Sequence, residues 1–130
     1  MRFLQNSAAA GVFAGALVCS AQQSPAYAGK WVGLMSTQAG GQLAVELLLT
    51  EAGGMWRMSP HGNSGRNNSC LGKDFPVSVK SSAPTELVIQ VNGSKVLQGC
   101  LDETASFKSV DWKALEGTLS DGRTVKLERK

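Results

Sequence analysis

The chain has 130 residues, 42% of them apolar, and 13 basic against 10 acidic residues give a formal net charge of +3. This length supports one domain with one modest core. So even a charge balance argues against nucleic acid or an anionic membrane as the partner.

Residues 1–28 carry the three zones of a secretory leader in order. Arg2 and the amino terminus are positive, residues 8–18 are uncharged and apolar, and residues 20–25 are polar. Ala26 and Ala28 place small side chains at the two positions a signal peptidase inspects. Removal is therefore expected after Ala28, with Ala21 as a weaker alternative. The apolar stretch falls well short of the roughly 20 residues a spanning helix needs, so no membrane anchor is expected after cleavage. Ala16 and Val18 break the lipoprotein pattern around Cys19 at both ends. The Ala-rich leader is bacterial in style, and the expected location is secreted or periplasmic. What remains is one β-rich domain over residues 29–130 with a net charge of +2, since Arg2 leaves with the leader.

From there onward, short alternating or β-branched apolar segments recur between glycine-rich turns, which predicts an all-β fold. Strands are expected at 31–35 and 42–50, with Gly53-Gly54 as the turn into 55–58. A long polar loop follows at 59–69. Further strands are expected at 75–80, 86–91, 95–101, 107–112, 115–119 and 124–129. The most apolar segment, 43–49, also suits a helix, but the Gly-Gly pairs on either side leave too little length for one. The result is a single antiparallel barrel or sandwich of about eight strands.

Two hairpins can be registered. A three-residue loop of Ser120, Asp121 and Gly122 pairs Leu115 with Leu127, Glu116 with Lys126 and Gly117 with Val125, keeping apolar groups together and opposite charges together. A two-residue turn at Asn92-Gly93 matches Ile89 with Val96, Val88 with Leu97 and Gln90 with Lys95. This second hairpin places Cys100 at or just past a strand end. Loss of Cys19 with the leader leaves Cys70 and Cys100, which in an exported chain most simply form a disulfide. Closing a loop of about 30 residues stabilises a fold by roughly 3–4 kcal/mol in the chain-entropy treatment. Neither cysteine lies in a Cys-x-x-Cys pair.

Gly29-Lys30-Trp31 at the start of the domain resembles the Gly-x-Trp signature of calycins, the group that contains lipocalins and avidins. The resemblance implies a small antiparallel barrel with Trp31 packed across one end, near a basic residue late in the chain. Arg129 stands where that residue is expected.

Functional residues are sought first in the 59–69 loop, because long loops on a rigid sheet often carry recognition. His61, Asn63, Arg66, Asn67 and Asn68 are its candidates: Arg66 for a carboxylate or phosphate, the amides for polar hydrogen bonding. Met55, Met58 and His61 offer soft ligands of the kind copper(I) takes, although strand alternation turns Met55 and Met58 to opposite faces. The only histidine lacks a nucleophile elbow, and no two carboxylates are placed together by sequence. Asp102-Glu103 suit a solvated turn. The expected function is thus non-catalytic and needs no cofactor: an exported module binding a small ligand in a barrel, or a macromolecule through the 59–69 loop, as an inhibitor of a host enzyme would. The alternative is a small hydrolase or copper-handling protein centred on His61. Oligomeric state is left open.

Overall fold

The computed structural model describes residues 25–109 and 111–130. Most of the expected leader, Cys19 included, lies outside the described residues. Eight strands follow in chain order: β1 (Gly29–Ser36), β2 (Gln42–Thr50), β3 (Gly53–Ser59), β4 (Asp74–Ala83), β5 (Glu86–Asn92), β6 (Asp102–Ser109), β7 (Ala114–Leu119) and β8 (Thr124–Arg129). Each pairs antiparallel with the next, and β8 returns to β1 through Trp31 opposite Arg129 and Gly33 opposite Leu127. Of the two all-β architectures expected, the chain adopts the closed barrel.

Alternation along each strand explains why the sheet closes around a core. In β2, Leu43, Val45, Leu47 and Leu49 are buried while Gln42, Leu48 and Thr50 are exposed. β5 turns Leu87, Ile89 and Val91 inward, and β8 turns Val125 and Leu127 inward. Trp31, Met35, Leu47, Phe107 and Leu115 are fully buried and fill the barrel interior with close-packed side chains.

Closure of so small a barrel demands tight coiling, and glycine supplies it inside strands. A Cβ on Gly33 would lie 1.8 Å from the Lys126 carbonyl oxygen, and one on Gly117 would lie 2.1 Å from that of Ser106. No other residue fits where neighbouring backbones approach this closely. Gly53 and Gly54 belong to the same pattern: they open β3, and the two-residue turn falls instead on Glu51 and Ala52, between paired Thr50 and Gly53. The expected Gly-Gly turn is thus corrected by two residues.

The β7–β8 hairpin has the register read from its charge and apolar pairing, with Leu115 opposite Leu127, Glu116 opposite Lys126 and Gly117 opposite Val125. Gly122 takes φ 95°, the left-handed position of the three-residue loop. The Asn92-Gly93 hairpin does not form. Ile89 pairs with Ala105 and Gln90 with Thr104, so the partner of β5 is β6, and residues 93–101 form a long connection. Gly93–Lys95 make a 3-10 turn, and Gly99 has φ 96°. The physical reason lies in the core. β6 offers Ala105 and Phe107 to the interior, both 0% exposed, whereas Val96 and Leu101 of the rejected partner are left in solvent at 43% and 69%. The strand expected at 107–112 therefore begins earlier and ends at Ser109, with Trp112 at φ 65° in the next connection. Asp102 and Glu103 start β6 rather than forming a turn.

All even-numbered connections (β2–β3, β4–β5, β6–β7) lie at the end where β1 begins. That end is closed. A 3-10 turn at Pro25–Tyr27 precedes β1, and Tyr27 is buried beneath the barrel. The Tyr27 hydroxyl donates to the Ala83 carbonyl at 2.7 Å, and the Trp31 indole N–H donates to the Tyr27 carbonyl at 3.0 Å. The Arg129 guanidinium stacks 4.2 Å from the Trp31 ring centroid. It donates to the carbonyls of Trp112 at 2.9 Å and Ala28 at 2.8 Å, and also to that of Ala26. Trp112 packs against Tyr27 with ring centroids 5.0 Å apart.

Candidate functional site at the open end

The opposite end carries the β1–β2, β3–β4, β5–β6 and β7–β8 connections, at residues 37–41, 60–73, 93–101 and 120–123. Two of these are long, and the Cys70–Cys100 disulfide ties them to each other with a Cα–Cα distance of 5.8 Å. The bridge therefore joins loop to loop across the rim. The long loop is folded rather than loose. His61 and Ser64 exchange backbone hydrogen bonds around Gly62 and Asn63, and Gly72 N–H donates to the Met58 carbonyl at 2.7 Å. Asn68 Oδ1 accepts from the Cys70 N–H at 2.9 Å, fixing the approach to the disulfide. Leu71 packs back onto the core.

Inside this rim lies a cavity of about 430 Å³. Its apolar lining comes from inward positions at the upper ends of the strands: Leu43 on β2, Trp56 and Met58 on β3, Phe75 on β4, Val91 on β5 and Leu119 on β7. The volume falls within the range of small-molecule sites, which combine a mostly apolar wall with a few fixed polar groups. Those polar groups are Gln38, Asn68, Glu103, Asp121 and Arg123. Arg123 Nε donates to Asp121 Oδ2 at 2.8 Å, and Glu103 Oε1 accepts from Ser120 Oγ at 2.7 Å. Two carboxylates against one guanidinium give the groups lining the cavity a formal charge of −1, while the surrounding loops also carry Arg66, Lys73 and Lys95. The neighbouring β5–β6 connection is held by Asp102, whose carboxylate accepts from the Ser94 N–H and hydroxyl; these bonds hold its pKa below the ordinary aspartate value.

Of the five loop residues singled out from sequence, only Asn68 reaches the cavity, where Met58 and the Cys70–Cys100 disulfide also line the wall. His61, Asn63, Arg66 and Asn67 project from the long loop into solvent. Met55 is exposed on the outer face beside Leu48, while Met58 turns inward, so the three soft ligands are not gathered on one face. Among the described residues, no group of three or more His, Cys, Asp or Glu side chains is placed to hold a metal ion. The sequence did not mark Trp56, Phe75, Leu119 or Arg123 as site residues, and it assigned Glu103 to a solvated turn. The signal for the apolar ones was present in strand alternation, which marks them as inward. What was missing was which strand ends share a mouth.

The barrel is similar to a solved structure described as a redesigned β-barrel, at 14% sequence identity and a TM-score of 0.52, over 81% of this chain and 92% of that chain. At this identity the likeness concerns the fold alone. No protein-family model matches the chain, and no curated protein matches it.

Proposed function

We propose that this protein is an exported, non-catalytic binding module of calycin-like build that takes a small apolar or aromatic ligand into the open end of the barrel. The observation that carries this reading is the cavity of about 430 Å³ walled by Trp56, Phe75, Leu43 and Leu119 and bordered by a disulfide-fixed rim. Calycin character is supported by Trp31 lying across the closed end beneath Arg129, as the Gly29-Lys30-Trp31 signature implies. The lower half of the interior is occupied by Trp31, Phe107 and Leu115, so a ligand enters the upper half alone. The charged groups lining the cavity are net negative, which disfavours an anionic end group and tolerates a neutral or cationic one.

The test uses two fluorescent probes of similar ring size. N-phenylnaphthylamine is neutral and anilinonaphthalene sulfonate is anionic. The neutral probe is expected to bind at one site, quench tryptophan emission and exceed the anionic probe in affinity. Leu119→Trp fills the cavity and should abolish binding, while His61→Ala and Arg66→Ala leave it unchanged. Binding that survives Leu119→Trp and is lost with Arg66→Ala would transfer the function to the long loop and a macromolecular partner.

A further inference from the structure

The closed end bears on where the leader is removed. Cleavage after Ala28, the position the Ala26-Tyr27-Ala28 pattern suggests, would discard groups the barrel uses. Tyr27 is 2% exposed, and its carbonyl is the acceptor for the indole of Trp31, itself 0% exposed. Losing it leaves a buried N–H without a partner, and unpaired buried donors are costly. The carbonyls of Ala26 and Ala28 accept from Arg129, and they would go too. Cleavage would also place a new ammonium on Gly29. That residue sits so close to Arg129 that a Cβ there would meet the guanidinium at 3.1 Å. A carbonyl acceptor would thus be exchanged for a like charge, the reverse of what the guanidinium requires.

We propose that export processing cuts upstream of Pro25, so that Ala26, Tyr27 and Ala28 remain in the mature protein as the plug of the barrel. Ala21 with Cys19 two residues before it supplies small side chains at both inspected positions, and a 21-residue leader lies within the ordinary range. Water would hydrolyse the Ala21–Gln22 peptide bond, leaving a carboxylate on Ala21 and an amine on Gln22. Cys19 departs in this case as well, so the pairing of Cys70 with Cys100 is unaffected. The proposal rests on the export reading above.

The full chain is expressed in an exporting bacterial host, and the exported product is analysed by intact mass and amino-terminal sequencing. A first residue between Gln22 and Pro25 is the expected result. Gly29 as first residue overturns this proposal and leaves export standing, whereas recovery of only unprocessed chain overturns both. A second measurement reads the plug itself. In the same full chain, Tyr27→Ala should lower the thermal midpoint of the exported product clearly and Tyr27→Phe, which keeps the ring, should lower it less. A midpoint for Tyr27→Ala equal to that of the unaltered protein also overturns the proposal.

Discussion

Replacing Arg129 by alanine removes the group that unites both chain ends of the barrel. Its bond to Ala28 O is partly shielded from water and, being charge-assisted, accounts for about 1.5–2 kcal/mol. The bonds to Trp112 O and Ala26 O are exposed, and each contributes about 0.5 kcal/mol after rehydration of its carbonyl. Stacking at 4.2 Å over Trp31 adds about 1 kcal/mol. The total, about 3.5–4 kcal/mol, lowers the melting temperature of a domain this size by about 15–30 °C. Urea unfolding followed by tryptophan emission measures the loss directly. Arg129→Lys separates charge from shape, because an ammonium cannot serve three carbonyls while lying flat on an indole. It should recover less than half of the stability. A loss under about 1 kcal/mol for alanine, or full recovery with lysine, would refute this account of the closed end.

Removing the disulfide by the double substitution Cys70→Ser, Cys100→Ser frees a loop of 30-residue separation and should cost about 3–4 kcal/mol in urea, along with probe affinity at the mouth. Gly33→Ala puts a methyl group against the Lys126 carbonyl and should abolish the cooperative near-ultraviolet spectrum of the folded barrel. Gly40→Ala, at φ 93° with open space around it, should cost only about 1–2 kcal/mol in the same assay. Burial pushes the Tyr27 phenol above its ordinary pKa, helped by the Glu86 carboxylate and opposed by a hydrogen bond with Ser109. The folded state then holds this proton to higher pH than the unfolded chain does. Stability from this group is complete below pH about 10 and falls as pH rises from there through the folded value. Tyr27→Phe should flatten the alkaline limb of a stability–pH profile; an unchanged slope would show that another group causes it.

Strand content was legible because burial on one face of a pleated sheet imposes a period of two, and β2 and β8 follow it without interruption. The β7–β8 register was legible for a related reason: charge and apolar matching across a short turn are local, and only one loop length satisfies both. The Asn92-Gly93 hairpin satisfied those same local rules and still failed. Its competitor, β6, brings Phe107 and Ala105 into the core, a gain visible only when the whole ring of strands is assembled. The candidate site was legible only in part. Polar composition drew attention to the 59–69 loop, yet of its five candidates the fold turns Asn68 alone toward the cavity.

The amino-acid sequence by itself determined the all-β class, the Cys70–Cys100 pairing and the importance of Trp31 and Arg129. The first two follow from residue type and local periodicity, the third from the resemblance of Gly29-Lys30-Trp31 to the calycin signature. Tertiary structure decided that the sheet closes on itself, that Gly33 and Gly117 are there to let strands coil past one another, and that Tyr27 packs beneath the closed end. It also decided that Trp56, Phe75 and Leu119, far apart in sequence, form one wall. These are properties of closure. A cavity exists only between strand ends brought together around the ring, and no single segment of the chain contains enough of that ring to show it.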